Sequence, residues 1–163
     1  MTSKAKILVV EDEPAIAGLM TFLLTREGYD VQTVFAGGAG MELAITRQFD
    51  LILLDVELPG INGFDLCQEL KQRWISRHTP IVLLSGNDLE ERRLKAMELG
   101  AVGFIAKPFI TADFLERVAF YRKRNPASQM SLTRMRTRTP SALAMRRRAI
   151  NETCSSPRST RPI

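Results

Sequence analysis

Short aliphatic runs recur along the first three-quarters of the chain. Ile7–Val10, Leu51–Leu54 and Ile81–Leu84 are unbroken, Val31–Val34 is weaker, and Gly103–Ala106 is the weakest. An unbroken apolar run suits a strand covered on both faces. The segments between them carry helical spacing. Ile16, Leu19, Met20 and Leu23 stand at i, i+3, i+4 and i+7, with Pro14 suited to a first helical turn and Gly28 to a helix end. Leu66, Cys67, Leu70 and Trp74 form a second apolar face, and Phe114, Leu115 and Val118 another. Met41–Arg47 predicts a further helix. Its start is left open by Gly37, Gly38 and Gly40, each costing about 1 kcal/mol in a helix interior relative to alanine. Leu89–Leu99 is mostly charged, with Leu94 and Met97 as its anchors and Glu91 and Lys95 spaced to pair.

Five β–α units in succession predict an α/β domain: a parallel sheet wrapped on both faces by right-handed crossovers. In such sheets the ligand site lies beyond the carboxyl ends of the strands. Polar residues with chemical capacity stand there. Glu11 and Asp12 follow the first run, Asp55 the third, Ser85 the fourth and Lys107 the fifth. A single acid after a strand is most often a cap or turn residue, and a lone serine or lysine there is most often structural. Four such positions at the same strand ends make a constellation. Three close carboxylates resist ionising together. A divalent cation relieves them, and magnesium suits a site with few protein ligands and a phosphoryl oxygen. A lysine ammonium and a serine hydroxyl add positive charge and a hydrogen bond for the same group. The set suits phosphoryl transfer, with Asp55 placed to act as nucleophile and form an acyl phosphate.

Composition divides the chain. Of its 163 residues 45% are hydrophobic, enough for a buried core, but the net charge of +5 averages two unlike pieces. Residues 1–120 hold 12 Lys+Arg against 17 Asp+Glu, whereas residues 121–163 hold 11 Lys+Arg and one acid, Glu152. We therefore expect a globular domain over residues 1–123 and an Arg/Ser/Thr/Pro-rich tail over 124–163, disordered for lack of core-forming residues. A short basic helix within Ala142–Ile150 is weakly supported. Cys67 falls in a helical pattern and Cys154 in the tail, which argues against a disulfide framework and fits a reducing compartment. With no apolar run near ~18 residues, the expected location is the cytoplasm.

The chain also resembles the receiver domain of two-component response regulators over about residues 5–123. The segments that carry the resemblance are Ile7–Pro14 (ILVVEDEP), Asp50–Gly63 (DLILLDVELPGING), Thr79–Gly86 (TPIVLLSG) and Gly100–Phe109 (GAVGFIAKPF). The spacings of 43 from Asp12 to Asp55, 30 from Asp55 to Ser85 and 22 from Ser85 to Lys107 resemble the family's as well. The resemblance implies a flavodoxin-like (βα)5 fold with strand order 2-1-3-4-5 and a cis Lys107–Pro108 bond. It implies Asp55 as phosphoacceptor and Mg²⁺ held by Asp12 and Asp55, by Glu11 mainly through water, and by the backbone carbonyl of Glu57. Lys107 would pair with the phosphoryl group, Ser85 would be the switch hydroxyl, and Phe104 would be the rotating aromatic. Glu57 and Asn87 would influence the lifetime of the phosphate.

The implied function is a phosphorelay receiver that is not itself an enzyme. It would accept phosphate from a histidine kinase or histidine phosphotransfer protein, since the single histidine, His78, reads as an exposed loop residue. Its output would pass to a protein effector or a self-dimer through helix 4, strand 5 and helix 5. The alternative is a truncated or tail-dependent DNA-binding transcriptional regulator, the tail contacting nucleic acid through phosphates. Two relatives in chemistry or fold fit less well. A haloacid-dehalogenase-type phosphatase places a D-x-D pair after its first strand, whereas Asp55-Val-Glu57 follows the third. A flavodoxin would cradle phosphate after strand one, where Glu11-Asp-Glu13 would repel it.

Overall fold

The computed structural model describes residues 3–87 and 89–125. Strands and helices alternate: β1 (Lys6–Val10), α1 (Pro14–Arg26), β2 (Asp30–Val34), α2 (Gly37–Thr46), β3 (Leu51–Asp55), α3 (Gly63–Gln72), β4 (Ile81–Ser85), α4 (Glu90–Glu98), β5 (Gly103–Ala106) and α5 (Thr111–Arg122). All strand pairs are parallel, in the order β2-β1-β3-β4-β5. This is the flavodoxin-like arrangement the resemblance implies. Of the predicted tail, residues 126–163, with its possible basic helix and Cys154, lie outside the described residues.

Alternate residues of each central strand point to opposite faces, and two apolar clusters result. Leu8, Val10, Ile52, Leu54, Ile81 and Leu83 pack with Ala44, Leu66, Cys67, Leu70 and Ala96 of α2, α3 and α4. Ile7, Val9, Leu51, Leu53, Val82 and Leu84 pack with Met20, Leu24, Phe114 and Val118 of α1 and α5. Every residue of β3 and β4 is buried, which is why those runs are unbroken. β2, with a single neighbour at the sheet edge, is only half-buried, and its run is correspondingly mixed. Fully burying one such aliphatic side chain is worth about 1.5–3 kcal/mol, so the two clusters dominate the stability of the sheet. Cys67 belongs to this core as predicted. Burial pushes its thiol up to about 11, against the pull of Lys71.

Several helical anchors differ from those the spacing predicts. In α1 the buried stripe is Ala17, Met20, Leu23 and Leu24, while Leu19 is exposed. Trp74 lies beyond the end of α3, exposed, with the Arg77 guanidinium 4.1 Å over its ring. In α4 the one buried residue is Ala96, and Leu94 and Met97 face solvent. Glu91 makes no ion pair with Lys95 among the described residues; the Lys95 ammonium lies 4.7 Å over Phe64. Helix α2 begins at Gly37, earlier than Met41. A Cβ at Gly37 would stand 2.1 Å from Ile61 Cγ2, and one at Gly40 2.7 Å from Val10 Cγ2. The contacts of α2 with Ile61 in the loop after β3 and with Val10 of β1 thus need the glycines that weaken the helix on propensity alone.

Candidate phosphoryl-transfer site

The register carries the four strand ends to one edge. Val10 pairs with Leu54, Asp55 with Leu84, and Ser85 with Ala106. Glu11 and Lys107 each follow at the next position. Asp55 and Glu11 are buried and Asp12 is exposed, and one carboxylate oxygen from each of the three lies within 4.8 Å of the others. Lys107 reaches between the two buried acids. Its Nζ donates to Glu11 Oε2 at 3.0 Å and to Asp55 Oδ1 at 3.1 Å. The Lys107–Pro108 peptide is cis.

Burial, and then the Glu11 charge, push the Asp55 carboxyl up to about 7, against the opposing pull of Lys107. Burial would lower the Lys107 ammonium, but its bonds to Glu11 and Asp55 outweigh that and hold it above the usual lysine range. Two buried acids thus share one cation and remain short of positive charge. That is the condition in which a hard divalent cation binds well. The donor set, three carboxylates with one open to solvent, suits Mg²⁺.

The loop after β3 is shaped by its second glycine. Gly63 donates its amide to the Val56 carbonyl at 3.0 Å, and a Cβ there would stand 2.1 Å from the Asp55 carbonyl oxygen. The Asn62 side chain caps α3 by accepting from the Phe64 amide at 2.8 Å. Asn62-Gly63 is therefore a helix start pressed against the Asp55 backbone. The Glu57 amide donates to Asp55 Oδ1 at 3.3 Å.

The Ser85 hydroxyl is held by Glu57, Asn87 and Arg92. Its Oγ donates to Glu57 Oε1 at 2.8 Å and accepts from the Asn87 amide at 3.1 Å and from Arg92 Nη1 at 3.0 Å. Arg92 also pairs with Glu57 Oε1. Burial opposes ionisation of Glu57, but the bonds from Ser85, Arg92 and Gly86 hold its carboxyl below the usual range. Phe104 is buried on β5 with the Arg93 guanidinium 5.5 Å from its ring centre. Arg92 is the participant the sequence reading missed. It lies in the charged first turn of α4, and no spacing within α4 connects it to Glu57, 35 positions earlier. His78 is exposed as predicted.

An open hollow of about 480 Å³, lined by Glu13, Ile16, Glu57, Asn87 and Lys107 among others, lies beside the acids. A larger apolar hollow of about 690 Å³ lies between α1 and β2; Arg26 is its one charged lining residue, so it lacks the acid cluster's chemistry.

Comparisons agree with this geometry. A family model described as the response regulator receiver domain matches residues 7–119. A CheY-like receiver domain protein from Methanospirillum hungatei is 26% identical, with a TM-score of 0.71 over 76% of this chain and 97% of its own. The chemotaxis protein CheY4 of Vibrio cholerae is 28% identical, with a TM-score of 0.70 over 73% of this chain and 99% of its own. The receiver domain of a Pseudomonas aeruginosa sensor histidine kinase, solved with a magnesium ion coordinated in its active-site cleft, is 28% identical, with a TM-score of 0.68 over 74% and 98%. Motifs, topology and the acid cluster at the carboxyl edge lead to one conclusion: this chain belongs to the response regulator receiver domain family, the phosphoryl-accepting module of two-component signalling.

Proposed function

We propose that Asp55 accepts a phosphoryl group from a phosphohistidine on a partner histidine kinase or phosphotransfer protein, and that residues 1–123 form the module that does so. The observation that carries this reading is the Lys107 ammonium bridging Glu11 and Asp55 at the carboxyl edge of the sheet. An Asp55 carboxylate oxygen attacks phosphorus, a P–O bond forms, and the P–N bond to the histidine ring breaks. The electron pair of that bond stays on the leaving ring nitrogen. Lys107 faces the phosphoryl oxygens and compensates their charge. Glu11, Asp12 and Asp55, with the Glu57 carbonyl, would hold Mg²⁺, which supplies charge neutralisation to the phosphoryl oxygens when bound.

Ser85 then donates to the new phosphoryl group, and Phe104 takes up the space it vacates. The readout is protein contact through α4, β5 and α5, where Leu89, Leu94 and Met97 are exposed. The domain is a once-per-cycle acceptor rather than a turnover catalyst. Among the described residues no helix is long and apolar enough to cross a membrane.

Incubation of the full chain with acetyl phosphate tests the reading. Phosphoprotein is expected to accumulate with Mg²⁺ and to be lost when a chelator replaces it. Equal labelling in the chelator would overturn the metal-assisted site.

A further inference from the structure

We propose that Arg92 is a positioning residue: with Glu57 it clamps the Ser85 hydroxyl away from Asp55, and phosphorylation has to open the clamp. The inference rests on the reading that Ser85 closes onto a phosphorylated Asp55.

A hydroxyl has one proton and two lone pairs. In Ser85 the proton has two acceptors, Glu57 Oε1 at 2.8 Å and the more distant Asn87 carbonyl at 3.2 Å, and both lone pairs are used, by the Asn87 amide and by Arg92 Nη1. The hydroxyl therefore has nothing left for Asp55 until it gives up Glu57 and the Asn87 carbonyl. Arg92 strengthens the hold twice, by donating to Ser85 and by pairing with the carboxylate that takes the Ser85 proton. The Gly86 amide, at 3.4 Å from Glu57 Oε2, completes it.

The clamp joins three elements: the β3–α3 loop through Glu57, β4 through Ser85, and α4 through Arg92. Its strength is limited because the Arg92 and Glu57 side chains are 31% and 43% exposed. That suits a contact that biases the resting state and yields to a phosphoryl group. Helix α4 buries only Ala96, and Arg92 ties its first turn to the β3–α3 loop and to β4. The next residue, Arg93, covers Phe104, so consecutive α4 side chains touch both proposed switch residues.

The test compares wild type, Arg92→Met and Arg92→Lys as full chains. Methionine keeps helix propensity at this partly exposed position. Without phosphodonor, the Gly86 and Asn87 amide resonances of Arg92→Met are expected to move toward their positions in phosphorylated wild type. Labelling by acetyl phosphate is expected to be about two- to five-fold faster. Arg92→Lys, which keeps the charge on a single donor, is expected to fall between the two. Unmoved amides with an unchanged labelling rate would overturn the clamp, as would slower labelling, which would make Arg92 a participant in transfer. Failure of wild type to label would instead count against the proposed phosphoacceptor.

Discussion

Asp55→Asn is expected to end phosphoryl labelling and, in the same protein, to stabilise the metal-free fold at neutral pH. The amide keeps the shape of the side chain and removes the anionic oxygen that attacks phosphorus, so labelling is lost outright. The stability gain follows from the raised Asp55 carboxyl. In the unfolded chain an aspartate gives up its proton near pH 4. In the folded protein burial and Glu11 keep the proton on until about pH 7. Between those values the folded state binds more protons, so stability from this site falls as pH rises and stays low above the window.

Asparagine has no such charge to bury. In chelator its stability is expected to be nearly flat from about pH 5 to about pH 8, and to exceed wild type at the upper end by on the order of 1–3 kcal/mol. Urea unfolding at the two pH values measures this. A wild type that gains stability as pH rises through the window, with no advantage for asparagine, would show that the acids are not in conflict.

Lys107→Met is expected to have the second-largest effect, through two separable losses. The Lys107 side chain is 12% exposed, and the Glu11 and Asp55 side chains 0% and 1%. Removing it leaves two facing carboxylates without their cation. Breaking a buried pair in this way costs about 3–5 kcal/mol, less whatever the acids recover by holding a proton between them. Added Mg²⁺ restores positive charge to the acids, so much of the stability should return with it. Labelling should not, because the ammonium facing the phosphoryl oxygens is still missing; a fall of about 100-fold or more is expected. Melting curves with and without Mg²⁺, set beside labelling rates in saturating Mg²⁺, separate the two losses. Normal labelling in the refolded variant would remove Lys107 from the site.

How much of this was legible beforehand depended on the range of the interactions. The aliphatic runs marked all five strands to within a residue, most plainly the central β1, β3 and β4, because strands buried on both faces admit little else. The parallel arrangement then carried Glu11, Asp55, Ser85 and Lys107 to one edge, and the Lys107 bridge follows from that placement. Helix faces were less legible. Spacing identifies an apolar stripe, but the sheet decides which stripe it meets. Ala17 and Ala96 are buried, and Leu19, Leu94 and Met97 turn outward. The start of α2 was obscured because propensity penalises Gly37 and Gly40, whereas packing against Ile61 and Val10 requires them. Ser85 was identified from its strand end, but its resting partners were not. Glu57 and Arg92 meet only after β3, β4 and α4 are assembled.

The central claim, that Asp55 itself carries the phosphoryl group, is tested most directly by locating the modified residue. Borohydride reduces an aspartyl acyl phosphate to homoserine. Peptide mapping by mass spectrometry after labelling in Mg²⁺ and reduction is expected to find homoserine at position 55, with none at position 12 and Glu11 unmodified. A reduced residue at Asp12 or Glu11, with aspartate intact at position 55, would contradict the account.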